Sequence, residues 1–204
     1  MRGLSASITI GMDDEHQLID RSQHGDLAAF NKLVDRYQTQ AYNLALRMLG
    51  DEALAADAAQ ESFISAYRAI KGFRGGNFRS WILRITANST RDLLRAAKSR
   101  RALSLEALET DSGALPHSSE ESPEEQVLRS ELGSEIQRCL EALHHDQRLA
   151  LVLIDIQGFS YEEAARITGA SLGTVKSRLS RARHQMRDGL RAVPELLPDK
   201  FRLE

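Results

Sequence analysis

An all-α protein, two small helical domains joined by a flexible acidic linker, is the fold that this 204-residue chain predicts. Apolar residues recur at the three-and-four spacing of helices through both halves. Capping residues and glycines bracket nearly every such run. Between the halves, Ser104 to Ser122 carries no periodicity and is rich in Ser, Glu, Gly and Pro, the composition of a tether.

The elements follow in order. Residues 1–11 are expected to be disordered, with Met12 an alternative start, and a short helix over "DDEHQLIDRSQHG" opens a first domain spanning 12–103. "DLAAFNKLVDRYQTQAYNLALRMLG" has Asp26 as its N-cap, apolar residues from Phe30 to Met48 and a stop at Gly50. "DEALAADAAQESFISAYRAIKG" starts on Asp51, places Ala56, Ala59, Phe63, Ala66, Tyr67 and Ile70 on its apolar stripe and ends at Gly72. After a glycine turn, Phe78, Trp81, Ile82, Ile85, Leu93 and Leu94 mark a third amphipathic helix. Beyond the 104–122 linker, Ser122 can cap and Pro123 opens a helix with Leu132, Ile136, Cys139 and Leu143 on one stripe. Three short helices follow within a second domain spanning 123–192, and residues 193–204 form a tail.

Composition narrows the function. A balance of 42% hydrophobic and 27% charged residues describes a globular chain and excludes wholesale disorder. No run of eighteen apolar residues is present, and "SASITIGM" is too short and polar for a secretory segment, so the expected compartment is the cytoplasm. The single cysteine, Cys139, reads as a core residue. His144 and His145 are adjacent and would diverge by about 100° on a helix, so no metal site is expected. Neither a P-loop nor a G-x-S-x-G elbow occurs, and Asp13, Asp14 and Glu15 look like a charged first helical turn. No cofactor, small-molecule substrate or catalytic residue is expected.

The formal net charge of −2 conceals a segregated pattern. From Phe63 to Leu105 the cations are opposed only by Asp92; from Glu106 to Glu135 the anions are opposed only by Arg129; the C-terminal part is basic again. Such blocks suit either nucleic-acid contact or a set of solvated helix faces. The sharpest of them is "SLGTVKSRLSRARHQM", Ser171 to Met186, which contains no acidic residue. It follows "SYEEAARITG", in which Ser160 and Glu163 have capping-box spacing, through a tight turn at Gly169. Two short helices joined by such a turn are a helix-turn-helix signature, whose second helix enters the major groove. With Val175, Leu179, Ala182 and Met186 turned inward, Thr174, Ser177, Ser180, Arg181 and His184 face outward, flanked by Lys176, Arg178 and Arg183. Cations there can donate to guanine edges or phosphates.

These segments resemble a known family. "GFSYEEAARITG" with "GTVKSRLSRAR" looks like the C-terminal DNA-binding domain of bacterial RNA polymerase sigma factors of the extracytoplasmic-function branch. "DAAQESFISAYRAIKGFRGGNFRSWILRITANSTRDLLR" resembles the core-binding and promoter-melting domain of the same family. The resemblance runs from Asp13 to Arg191. It implies a sigma factor that carries no catalysis, binds core polymerase, recognises the minus-ten and minus-thirty-five elements and helps open the DNA. It further implies that Asp57, Gln60 and Glu61 dock on the clamp helices of the largest catalytic subunit, with the flap of the second-largest subunit as a further contact. Phe73, Asn77, Phe78, Asn88, Arg91, Asp92 and Arg95 match minus-ten positions, where unstacked bases are held. Ser171, Thr174, Lys176, Ser177, Arg178, Ser180, Arg181 and Arg183 match minus-thirty-five positions. Arg74, Gly75, Gly76 and Asn77 make a shorter loop between the two phenylalanines than many relatives have, and Ser180 is small where some carry a bulky group, so base preferences do not transfer. An anti-sigma partner, often membrane-anchored, is also implied. Two other readings stand beside this one: a duplex-only helix-turn-helix regulator, which has no evident use for the basic aromatic helix from Phe78 to Arg101, and a nucleic-acid enzyme, for which no catalytic constellation exists.

Overall fold

The computed structural model describes residues 10–103 and 123–196, and its regular elements there are all helical. Four helices make the first module: α1 (Ile10–Gln23), α2 (Leu27–Leu49), α3 (Glu52–Ala69) and α4 (Phe78–Leu103). α1 begins at Ile10, inside the stretch expected to be disordered. The Asp26 carboxylate accepts from the Ala29 amide at 3.0 Å, and Asp51 accepts from Leu54 at 2.8 Å, so both predicted caps set the helix starts. Gly50 ends α2 with a φ of 76°, a left-handed conformation that favours glycine.

The centre of this module holds Leu33, Leu44, Met48, Ile82 and Leu83, none of them exposed to solvent. Side chains of that size stabilise the fold by about 2 kcal/mol each through removal from water. Buried hydroxyls are satisfied along their own helices: Ser62 donates to the Ala58 carbonyl at 2.5 Å and Thr86 to that of Ile82 at 3.1 Å. Tyr37 donates its hydroxyl to Glu15, tying α1 to α2, and burial together with that carboxylate raises the phenol above its ordinary range. Ala59, Phe63, Ala66 and Ile70 face inward as expected and are joined by Ala55, Ala58 and Ser62, whereas Ala56 and Tyr67 are exposed.

The second module comprises α5 (Pro123–Ala142), α6 (His145–Leu151), α7 (Tyr161–Thr168) and α8 (Leu172–Leu190). Pro123 is the first residue of α5, while the expected Ser122 cap and the whole 104–122 linker lie outside the described residues. α6 widens into a π turn over Val152–Ile156, closed by the Gln157 amide on the Val152 carbonyl at 2.9 Å. The tail begins with a 3-10 turn at Pro194–Leu196.

The two modules pack together, and a single apolar cluster runs from Leu18 in α1 to Ala182 in α8. Polar contacts line this joint. Arg79 donates from Nε to Gln40 at 2.6 Å and from Nη2 to the Gln157 carbonyl at 2.6 Å, with its guanidinium 4.1 Å from the Phe159 ring centre. Arg148, only 7% exposed, donates to the Met48 carbonyl of the first module and, at 2.6 Å, to the Glu141 carbonyl of the second.

Candidate nucleic-acid interface

The helix-turn-helix is built as its residues require. Ser160 Oγ accepts from the Glu163 amide at 3.2 Å while Glu163 accepts from the Ser160 amide at 3.0 Å, completing the capping box of α7. Gly169 closes that helix at a φ of 66°, and Ser171 Oγ accepts from the Thr174 amide at 3.1 Å to open α8. Val175, Leu179 and Ala182 are 0%, 1% and 0% exposed, which aims the other side of α8 at solvent.

That face is smaller than expected. Lys176, Ser177, Ser180 and Arg181 are exposed upon it, and among the described residues Ser180 and Arg181 have no side-chain partner. Ser177 donates to the Thr174 carbonyl at 2.9 Å, leaving its oxygen to accept. Ser171 and Thr174 bond each other at 2.8 Å as the cap. Arg178 and Arg183 flank that face with partners of their own: half-buried Arg178 reaches Asp146 at 2.5 Å, and exposed Arg183 reaches Asp155 at 2.6 Å. The Asp155 hydrogen bond raises the Arg183 pKa further, fixing its charge. These two arginines hold α8 against α6 and its π turn.

In the first module, Asn88, Asp92 and Arg95 share an exposed face of α4, where Arg95 lies 3.9 Å from Asp92. Arg91 lies on the same face but turns to Asp146, 3.7 Å away across the joint. Phe78 departs from the expectation of a base contact. It is 0% exposed, with Tyr37, Phe73 and Trp81 ring centres at 5.5, 5.7 and 5.3 Å, because opening α4 on a large apolar residue drives that residue into the core. Phe73 stays half-buried above it, its carbonyl accepting from Gln23 at 2.6 Å. Asn77 caps α4, accepting from the Ser80 amide at 2.9 Å. Gly75 and Gly76 have φ of 87° and 97° with open space around both, so the short loop uses glycine for its conformation rather than for close packing.

On the opposite flank, Asp57, Gln60 and Glu61 are exposed along α3. Beside them runs an apolar groove of about 670 Å³ between α2 and α3, lined by Leu27, Val34, Tyr42, Phe63, Ile64 and Tyr67. The sequence reading put Tyr67 in the core and passed over Ile64; the signal was an apolar surplus on α3 too wide for one stripe. Among the described residues no cluster of His, Cys, Asp or Glu could hold a metal ion, and no helix is long and apolar enough to cross a membrane.

An exposed cationic face on the second helix of a helix-turn-helix, packed beside a helical bundle with its own polar, partly cationic helix face, defines a two-module DNA-binding protein. The family model described as Sigma-70 region 2 matches residues 33–100, and that described as Sigma-70, region 4 matches 134–186. The chain is 37% identical over 186 residues to the RNA polymerase sigma-H factor of Pseudomonas aeruginosa, covering 89% of this chain and 96% of that protein. It is 38% identical to the ECF RNA polymerase sigma factor SigE of Mycolicibacterium smegmatis, covering 81% of this chain and 64% of that one. With the ECF RNA polymerase sigma-E factor of Escherichia coli K12 it shares 41% identity, covering 81% of this chain and 88% of that factor. Among solved structures, the sigma factor RpoE bound to the anti-sigma factor NepR from Bartonella quintana superposes with a TM-score of 0.64 at 26% identity, covering 80% of this chain and 98% of that one. CnrH in complex with the cytosolic domain of CnrY gives 0.63 at 28%, covering 89% and 99%. The chain belongs to the extracytoplasmic-function branch of the sigma-70 family.

Proposed function

We propose that this chain binds core RNA polymerase through the α3 face bearing Asp57, Gln60 and Glu61, recognises the minus-thirty-five element with α8, and recognises and opens the minus-ten element with α4 and the Phe73–Phe78 loop. The observation that carries the reading is the exposed face of Lys176, Ser177, Ser180 and Arg181 on a helix held at its flanks by the ion pairs of Arg178 and Arg183. A helix held rigidly by its own ion pairs presents the remaining donors at a fixed register to base edges. On α4, Asn88 and Arg95 serve the unpaired strand, and half-buried Phe73 is the aromatic surface beside the loop. The protein has no chemistry of its own; it acts in the cytoplasm as a dissociable specificity subunit. RpoE was solved with the anti-sigma factor NepR and CnrH with the cytosolic domain of CnrY, and we assign this chain a comparable anti-sigma partner.

Run-off transcription with purified core polymerase on a promoter library tests the reading. Initiation at a defined subset of templates only when the chain is present is the expected result, and no chain-dependent transcript on any template would refute it. In the same assay Asn88→Ala should slow open-complex formation more than initial duplex capture.

A further inference from the structure

An aromatic ring lies between two cations where α7 begins. Tyr161, the first residue of α7, is half-buried and packs against the core. The Lys176 ammonium of α8 lies over its ring, 5.8 Å from the centre, within the range of a cation–π contact. Tyr161 also interacts with Arg183, which Asp155 holds through bonds of 2.9 and 2.6 Å. Lys176 and Arg183 are about two helical turns apart, so they share one flank of α8, with the tyrosine laid along it. Arg183 is committed to its carboxylate. Lys176 is exposed and has no carboxylate partner among the described residues.

The direction of this flank separates Lys176 from its neighbours. Successive helical residues turn by about 100°, so Lys176 points about 100° away from Ser177 and about 140° away from Arg181. It lies across the line along which those side chains approach base edges. In a helix-turn-helix the first helix crosses the DNA backbone while the second enters the major groove, so a cation on the α7 side of α8 is carried to the backbone. A lysine ammonium suits that position as a point charge without a fixed donor fork. Holding a lysine still costs rotamer freedom, and the Tyr161 ring removes part of that freedom before DNA arrives.

We propose that Lys176 is a phosphate clamp and not a base reader, and that Tyr161 is the positioning residue that aims it. Base choice at the upstream element then falls to Ser177, Ser180 and Arg181. The assignment deepens the function proposed above and rests on it. A phosphate contact strengthens binding to every sequence alike and steepens its salt dependence, whereas a base contact ranks sequences.

Holoenzyme assembled from core polymerase and the full-length chain, titrated at several salt concentrations with duplexes in which each upstream base pair is replaced in turn, tests this. Lys176→Gln should weaken binding about fivefold on every duplex, lower the salt slope by about one and leave the ranking of sequences unchanged. Tyr161→Leu should weaken binding about threefold in the same uniform way, while Tyr161→Phe, which keeps the ring, should bind like the wild type. In the Lys176→Gln background Tyr161→Leu should add nothing. A changed preference at one base pair in Lys176→Gln would overturn the clamp. Equal losses from Tyr161→Leu with and without Lys176 would overturn the positioning role. The parent reading is judged separately by the wild type: if it ranks no duplex above another, the promoter assignment and the clamp fall together, whereas a ranking that both Arg181→Ala and Lys176→Gln relax removes the clamp alone.

Discussion

Arg181 and Arg183 are two positions apart and do different jobs. Arg181 faces solvent, whereas Arg183 is held by Asp155 through bonds of 2.9 and 2.6 Å. Arg181→Ala should cost about 1–3 kcal/mol at the upstream element with relaxed preference at one base pair, measured by binding to a set of mutated duplexes with the assembled polymerase. Arg183→Ala should leave that preference intact and lower the melting temperature. Phe78→Ala should destabilise the first module by about 3–5 kcal/mol in denaturant unfolding, because it empties a wholly buried ring site. At this scale the sequence was only partly legible. The outward set on α8 followed from the positions of Val175 and Leu179, but the partners of Arg178 and Arg183 come from another helix, and charge spacing within α8 carries no trace of them. Phe78 misled because an aromatic beside a glycine loop fits a base platform as well as a core; its burial depends on Tyr37, far away in sequence.

Elements were easier to foresee than their distortions. Caps at Asp26, Asp51, Ser160 and Ser171 act as their spacing implied, since capping is local chemistry. Ser160→Ala should therefore cost about 1 kcal/mol, seen by thermal melting. The π turn had no such sign: "LALVLIDIQ" is apolar on nearly every side, so its period is blind to one extra residue per turn. α6 also carries a pH response. Burial pushes the His145 pKa below its ordinary 6.5. For Asp146 burial pushes upward, but His145, Arg178 and Arg91 together bring it below 3.8. Both groups hold fewer protons folded than unfolded, so their contribution is present at neutral pH and is lost on acidification, first below 6.5 and then below 3.8. The melting temperature should fall between pH 7.5 and about 5, and His145→Asn should flatten that slope.

For the molecule as a whole, the division into two helical modules was legible because composition changes sharply at Ser104. Their packing was not, because Arg91 and Asp146 meet only through tertiary structure. The shared apolar cluster predicts one cooperative thermal transition for the intact chain. Arg79→Met should split it into two in calorimetry, each module melting alone. The joint also contains an asymmetry. Arg148 Nε is buried with no hydrogen-bond partner among the described residues, while its other nitrogens rest on helix-end carbonyls. Burial lowers that guanidinium's pKa, a sign that hydration would favour its charge. Parting the modules strands no anion and lets this nitrogen regain water, recovering about 1–3 kcal/mol of missing hydration. A seam that keeps one buried nitrogen without a partner is held less tightly than its apolar contacts alone would suggest.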